Sequence, residues 1–82
     1  MAAYLTLRTR STSGSMVVFK CRPVTVLEKL MDAYCIRTGV DPHSVAFFKC
    51  DAAGQPEVQL VGNETPQGVG LEDGDTIHVI GI

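Results

Sequence analysis

The stretch Thr25–Val40, TVLEKLMDAYCIRTGV, decides how the rest of the chain must fold. Leu27, Leu30, Met31, Tyr34 and Cys35 recur at i, i+3, i+4, i+7 and i+8, which gathers them on one stripe of a helix, while Glu28, Lys29, Asp32 and Arg37 project elsewhere. The spacing Thr25-Val26-Leu27-Glu28 has the form of a capping box and predicts the helix start there, with Thr25 accepting from the amide of Glu28 and Glu28 reaching back. Gly39 stands where a left-handed residue closes a helix, and Val40 beyond it can cover the last turn. A helix with one apolar stripe has to bury that stripe against something. The flanking sequence shows what that is.

Upstream, Tyr4–Arg10 (YLTLRTR) alternates large apolar residues with Thr and Arg, the period of a strand with one buried face. The polar cluster Ser11-Thr12-Ser13-Gly14-Ser15 can reverse the chain. Met16–Arg22 (MVVFKCR) is rich in β-branched and aromatic residues, so the two segments read as an antiparallel hairpin that Pro23 ends. Downstream, Asp41-Pro42-His43 makes a turn into a third strand, Ser44–Cys50, with Val45 and Phe47 on its core face. Residues 51–56 form a loop, and Val58–Val61 is a short fourth strand broken by Gly62 and Asn63. Thr65-Pro66 opens one helical turn. After the turn Leu71-Glu72-Asp73-Gly74-Asp75, Thr76–Ile80 is a fifth strand whose Ile77 and Val79 share a face.

This order predicts an α+β roll: a mixed sheet of about five strands with one main helix packed on one face, the first and last strands lying parallel at its centre. With 82 residues, a second core would have too little surface to bury, so residues 1–82 are expected to form a single domain.

Composition narrows the function classes. Net charge is −2, with 45% hydrophobic and 20% charged residues, so no overall basic field attracts nucleic acid or an anionic membrane, and neither is an expected partner. Apolar stretches stay short of the roughly 18 residues of a membrane span, and the N-terminal residues lack a signal peptide's pattern, which predicts a protein kept inside the cell. Cys21, Cys35 and Cys50 show no close ligand pairing, and His43 and His78 stand alone, so reduced thiols and no metal or other cofactor are expected. Neither a nucleophile–base pair, a Gly-rich phosphate loop nor a calcium-loop rhythm is present, and no catalytic residue is assigned.

Three blocks in order resemble one family. Lys29–Arg37 (KLMDAYCIR) is similar to the helix of SUMO, Val40–Phe48 (VDPHSVAFF) to the approach to its third strand, and Thr65–Asp75 (TPQGVGLEDGD) to its TPxxLGMExxD stretch. The resemblance covers nearly the whole chain and implies the ubiquitin-like β-grasp. The chain differs from the family in a longer loop around Asp51–Gln59, in lacking an N-terminal extension, and in ending Ile80-Gly81-Ile82 where a diglycine tail would follow.

The resemblance implies two binding surfaces. One is a groove for SUMO-interacting motifs between the second strand and the helix, with Val17, Phe19, Cys21 and Leu30 as floor and Lys20, Arg22, Lys29 and Arg37 as rim. Val26 stands where some members carry a polar groove residue. The other surface is Gly70, Leu71, Glu72, Asp73 and Asp75, implied to dock the SUMO-conjugating enzyme, with Ala46 at a position often basic in the family. The same residues also have plainer readings, as core, solvated cations and a solubilising turn. The leading expectation is a monomeric, non-enzymatic interaction module of the nucleus or cytoplasm that binds the conjugating enzyme or proteins bearing SUMO-interacting motifs noncovalently. A SUMO modifier attached to target lysines, and a structural β-grasp scaffold, are the alternatives.

Overall fold

In the computed structural model, which describes residues 4–81, the elements are β1 (Leu5–Ser11), β2 (Met16–Cys21), α1 (Leu27–Thr38), a 3-10 turn (Pro42–Ser44), β3 (Val45–Cys50), β4 (Pro56–Leu60) and β5 (Thr76–Gly81). The strands form one sheet in the order β2-β1-β5-β3-β4. β1 and β5 run parallel at its centre, with Arg8 opposite Thr76, and the remaining pairs are antiparallel. This is the expected β-grasp roll.

Alternation along the strands chooses the buried face. Leu7, Phe47, Leu60, Ile77 and Val79 point at the helix and meet Leu27, Leu30, Tyr34 and Cys35 in one core, with Met31 half-buried at its margin. The Tyr34 and Phe47 rings meet edge to face, 5.5 Å apart. Thr9 follows Leu5 and Leu7 on the inward set and is buried, contrary to its reading as part of the polar alternation. Its hydroxyl donates to the Val17 carbonyl at 3.1 Å, which satisfies the buried polar group.

The start of α1 corrects the sequence reading. Val26, not Thr25, is the capping residue, and no side chain caps the helix. Backbone carbonyls from the β4 exit do so instead: the Leu27 amide donates to Glu64 O at 2.7 Å and the Glu28 amide to Gly62 O at 2.9 Å. A Cβ on Gly62 would lie 3.1 Å from the Glu28 Cβ, so this close approach favours glycine. At the other end Gly39 is left-handed (φ 75°), and its amide donates to Cys35 O, as the sequence predicts.

β4 begins at Pro56 instead of Val58 and ends at Leu60. Lys49 pairs with Val58 and Cys50 with Pro56, so Glu57 is an extra residue in an irregular register, and Pro is tolerated at the first position of an edge strand. The loop is correspondingly short and is organised by Asp51, whose Oδ1 accepts from the amides of Ala53 and Gln55. The turn from Thr65 has a single i→i+4 bond, from the Val69 amide to Thr65 O. It closes when the Leu71 amide reaches Pro66 O and the Gly70 amide reaches Gln67 O, the pattern of a helix end with hardly any helix before it. Among the described residues, no helix is long and apolar enough to cross a membrane.

Candidate functional site

Among the described residues, β2 pairs only with β1, so its outer edge has no strand beside it. Between this edge and α1 lies a groove of about 280 Å³. Phe19 and Cys21, on the inward-facing set of β2, and Leu30, from the helix, form its apolar floor, and Ala33 leaves it open because its side chain is small. Lys20, Arg22 and Lys29 also line it, and among the described residues no carboxylate does. Burial pushes the Cys21 thiol up, so at neutral pH it adds apolar surface instead of charge.

The two rim arginines are held by aromatic rings. The Arg37 guanidinium lies 5.1 Å from the Phe19 ring centroid, and that of Arg22 lies 5.8 Å from the Tyr4 centroid. Arg37 therefore sits over the groove's aromatic floor residue without lining the cavity. Val17 lies on the same strand face but outside the groove, where its carbonyl serves Thr9. Tyr4, Thr25 and Ala33 line the groove and were not among the residues expected there. The strand register supplies the missing signal for Tyr4, since pairing Leu5 with Cys21 sets Tyr4 beside Arg22. Lys20, Arg22, Lys29 and Arg37 together are four of the chain's seven Lys and Arg residues, gathered around one cleft. On an acidic chain this concentration makes the cleft a local positive patch.

The second expected surface is assembled differently. Glu72, Asp73 and Asp75 occupy one turn, but Leu71 is only 4% exposed and belongs to the core, so its side chain is not presented. Asp73 Oδ1 accepts from the Thr6 amide at 2.7 Å, and the Gly74 amide donates to Thr6 O. Asp75 Oδ2 accepts from the Glu72 amide at 2.9 Å, and its carbonyl accepts from Arg8. The corner is thus stitched to β1, and Glu72 is the carboxylate with no hydrogen bond assigned to it. Gly70 is left-handed (φ 78°), and the Lys49 ammonium lies beside it. Ala46 is buried in β3. Thr6 links the two surfaces, because it pairs with Lys20 on one side and holds Asp73 and Gly74 on the other.

Among the described residues, no three His, Cys, Asp or Glu side chains are placed to hold a metal ion. The three cysteines are free thiols.

Strand order, parallel centre and single helix make the chain a ubiquitin-like β-grasp protein. Its fold matches a ubiquitin from Caldiarchaeum subterraneum (TM-score 0.78, 17% identity, 96% of this chain and 94% of that one) and a de novo design based on ubiquitin (TM-score 0.80, 20% identity, 99% and 92%). The chain belongs to the SUMO-like family described as "Ubiquitin-2 like Rad60 SUMO-like", whose model matches residues 5–80. It is 37% identical over 78 residues to small ubiquitin-related modifier 2 of Arabidopsis thaliana, covering 95% of this chain and 70% of that protein. With the human small ubiquitin-related modifier 2 the identity is 38% over 76 residues, covering 93% and 74%.

Proposed function

We propose that this domain is a noncovalent docking module whose groove takes a short hydrophobic segment flanked by acidic residues, the chemistry of a SUMO-interacting motif. The observation that carries this reading is the coincidence of a free β2 edge, an apolar floor and an all-cationic rim. An extended peptide adds main-chain bonds along the edge, places alternate side chains over Phe19, Cys21 and Leu30, and sets its carboxylates against Lys20, Arg22 and Lys29. The acidic corner, led by Glu72 with Asp73 and Asp75, offers the conjugating enzyme of the same pathway a negative surface distinct from the groove.

The test is a chemical-shift titration of the domain with an acidic-flanked hydrophobic peptide. Saturable shifts at Phe19, Lys20 and Lys29 that weaken with salt are the expected result, and silence there removes the proposal. A second titration with the conjugating enzyme tests the corner separately.

The relatives' name, small ubiquitin-related modifier, favours a second reading, covalent attachment to target proteins. Thioester formation with the activating enzyme by the natural full-length product decides between the two.

A further inference from the structure

The helix α1 separates charge between its two flanks. Lys29 and Arg37 lie toward β2, while Glu28 and Asp32, one helical turn apart, border a second groove on the opposite flank, between α1 and the β3–β4 side of the sheet. This groove has a volume of about 250 Å³ and an apolar lining that includes Met31, Phe47 and Leu60. Asp32 and Pro42 also line a neighbouring depression beside Cys35, Ile36 and Val40, so the two form one trench along the helix.

Its chemistry is the inverse of the first groove. Among the described residues, no Lys or Arg lines either part, and the charged residues that do are Glu28 and Asp32. Burial, and after it the negative charges of Asp32 and of Asp41 just beyond the helix, push the Cys35 thiol up. A stretch of backbone is also open here. β4 stops at the Phe47–Leu60 rung while β5 continues to Val45–Gly81, so β3 has no strand neighbour on its outer side at Val45 and Ala46. Ile36, 82% exposed, leaves a large apolar side chain at the end of the trench.

We propose that this trench is a second docking site, for an extended segment of a partner protein in which an apolar anchor is flanked by lysine or arginine. The anchor packs on Met31 and Leu60, the segment's backbone meets the open edge at Val45–Ala46, and its cations face Glu28 and Asp32. Since the two flanks of α1 carry opposite charge, the sign of the residues around a hydrophobic anchor decides which side of the helix it occupies.

The experiment uses two short peptides with the same Val-Ile-Val-Leu centre, one flanked by lysines and one by glutamates, titrated into the isotopically labelled domain and followed by amide chemical shifts, with affinities taken from fluorescence anisotropy of dye-labelled peptides. The lysine-flanked peptide should shift the amides of Met31, Asp32, Ile36, Val45 and Gln59. The double variant E28K/D32K should weaken it about tenfold or more, with the thermal midpoint and the glutamate-flanked peptide's shifts at Phe19 and Lys29 retained. Three results overturn the proposal: no saturable binding of the lysine-flanked peptide at low salt, shifts confined to Glu72–Asp75, or an affinity that E28K/D32K leaves unchanged. Each is separate from the behaviour of the β2 groove, which the glutamate-flanked peptide reports.

Discussion

The cationic groove and the acidic corner use charge in different ways. Around the groove, the charged ends of Arg22 and Arg37 lie on aromatic rings and Lys20 and Lys29 line open space, so the rim cations do not serve to close the backbone. At the corner, Asp73 and Asp75 accept from backbone amides, and the turn is anchored by a buried leucine. A charge that closes a turn cannot be removed without disturbing the shape that presents its neighbours. A charge on a rim can be exchanged with little structural effect.

The contrast breaks most decisively at Leu71. Leu71→Ala should lower unfolding free energy by about 2–5 kcal/mol, the range for emptying a buried leucine site; a loss well below this in urea titration would mean that the corner is not anchored by the core. At the groove, Arg22→Glu combined with Lys29→Glu should weaken an acidic-flanked peptide about tenfold, with stability changed by no more than about 0.5 kcal/mol. If stability fell as far as affinity, the rim would be structural after all. Asp73→Ala should cost about 1 kcal/mol by leaving the Thr6 amide to water, whereas Glu72→Ala should leave stability within about 0.5 kcal/mol. Glu72 is therefore a sharper probe of the proposed enzyme docking than Asp75, whose replacement by Arg also removes the Glu72 amide's acceptor.

The smallest effect concerns pH. Burial raises the thiols of Cys21, Cys35 and Cys50 above their ordinary pKa of 9.0. The folded state then holds these protons more tightly than the unfolded one, so the thiol contribution is complete below pH 9.0 and is lost as pH rises through the higher folded values. The urea midpoint should drift downward on the alkaline side, and a midpoint that rose there would contradict the burial of these groups.

Local periodicity carried most of the fold. The Leu27–Cys35 stripe, the hairpin from Tyr4 to Arg22 and the inward pair Ile77 and Val79 are all short-range patterns, and the structure has each of them. What periodicity could not carry came from elsewhere in the chain. The helix cap is supplied by Gly62 and Glu64, and the burial of Leu71 follows from how the 65–71 turn closes. Of the groove, Phe19, Lys20, Cys21, Arg22, Lys29 and Leu30 came from the family resemblance, and the structure sets them around one cavity. Tyr4 became visible only through the strand register, and Val17, although on the same strand face as Phe19, lies outside the cavity.

The borrowed helix cap bears on how the molecule is made. Synthesis releases α1 before Gly62 and Glu64 exist outside the ribosome, so the first turn leaves the exit tunnel with bare amides and frays. It locks only once the β4 exit has emerged and folded back. The grooves on either side of that helix thus acquire their walls late, after residues 62–64 have left the ribosome.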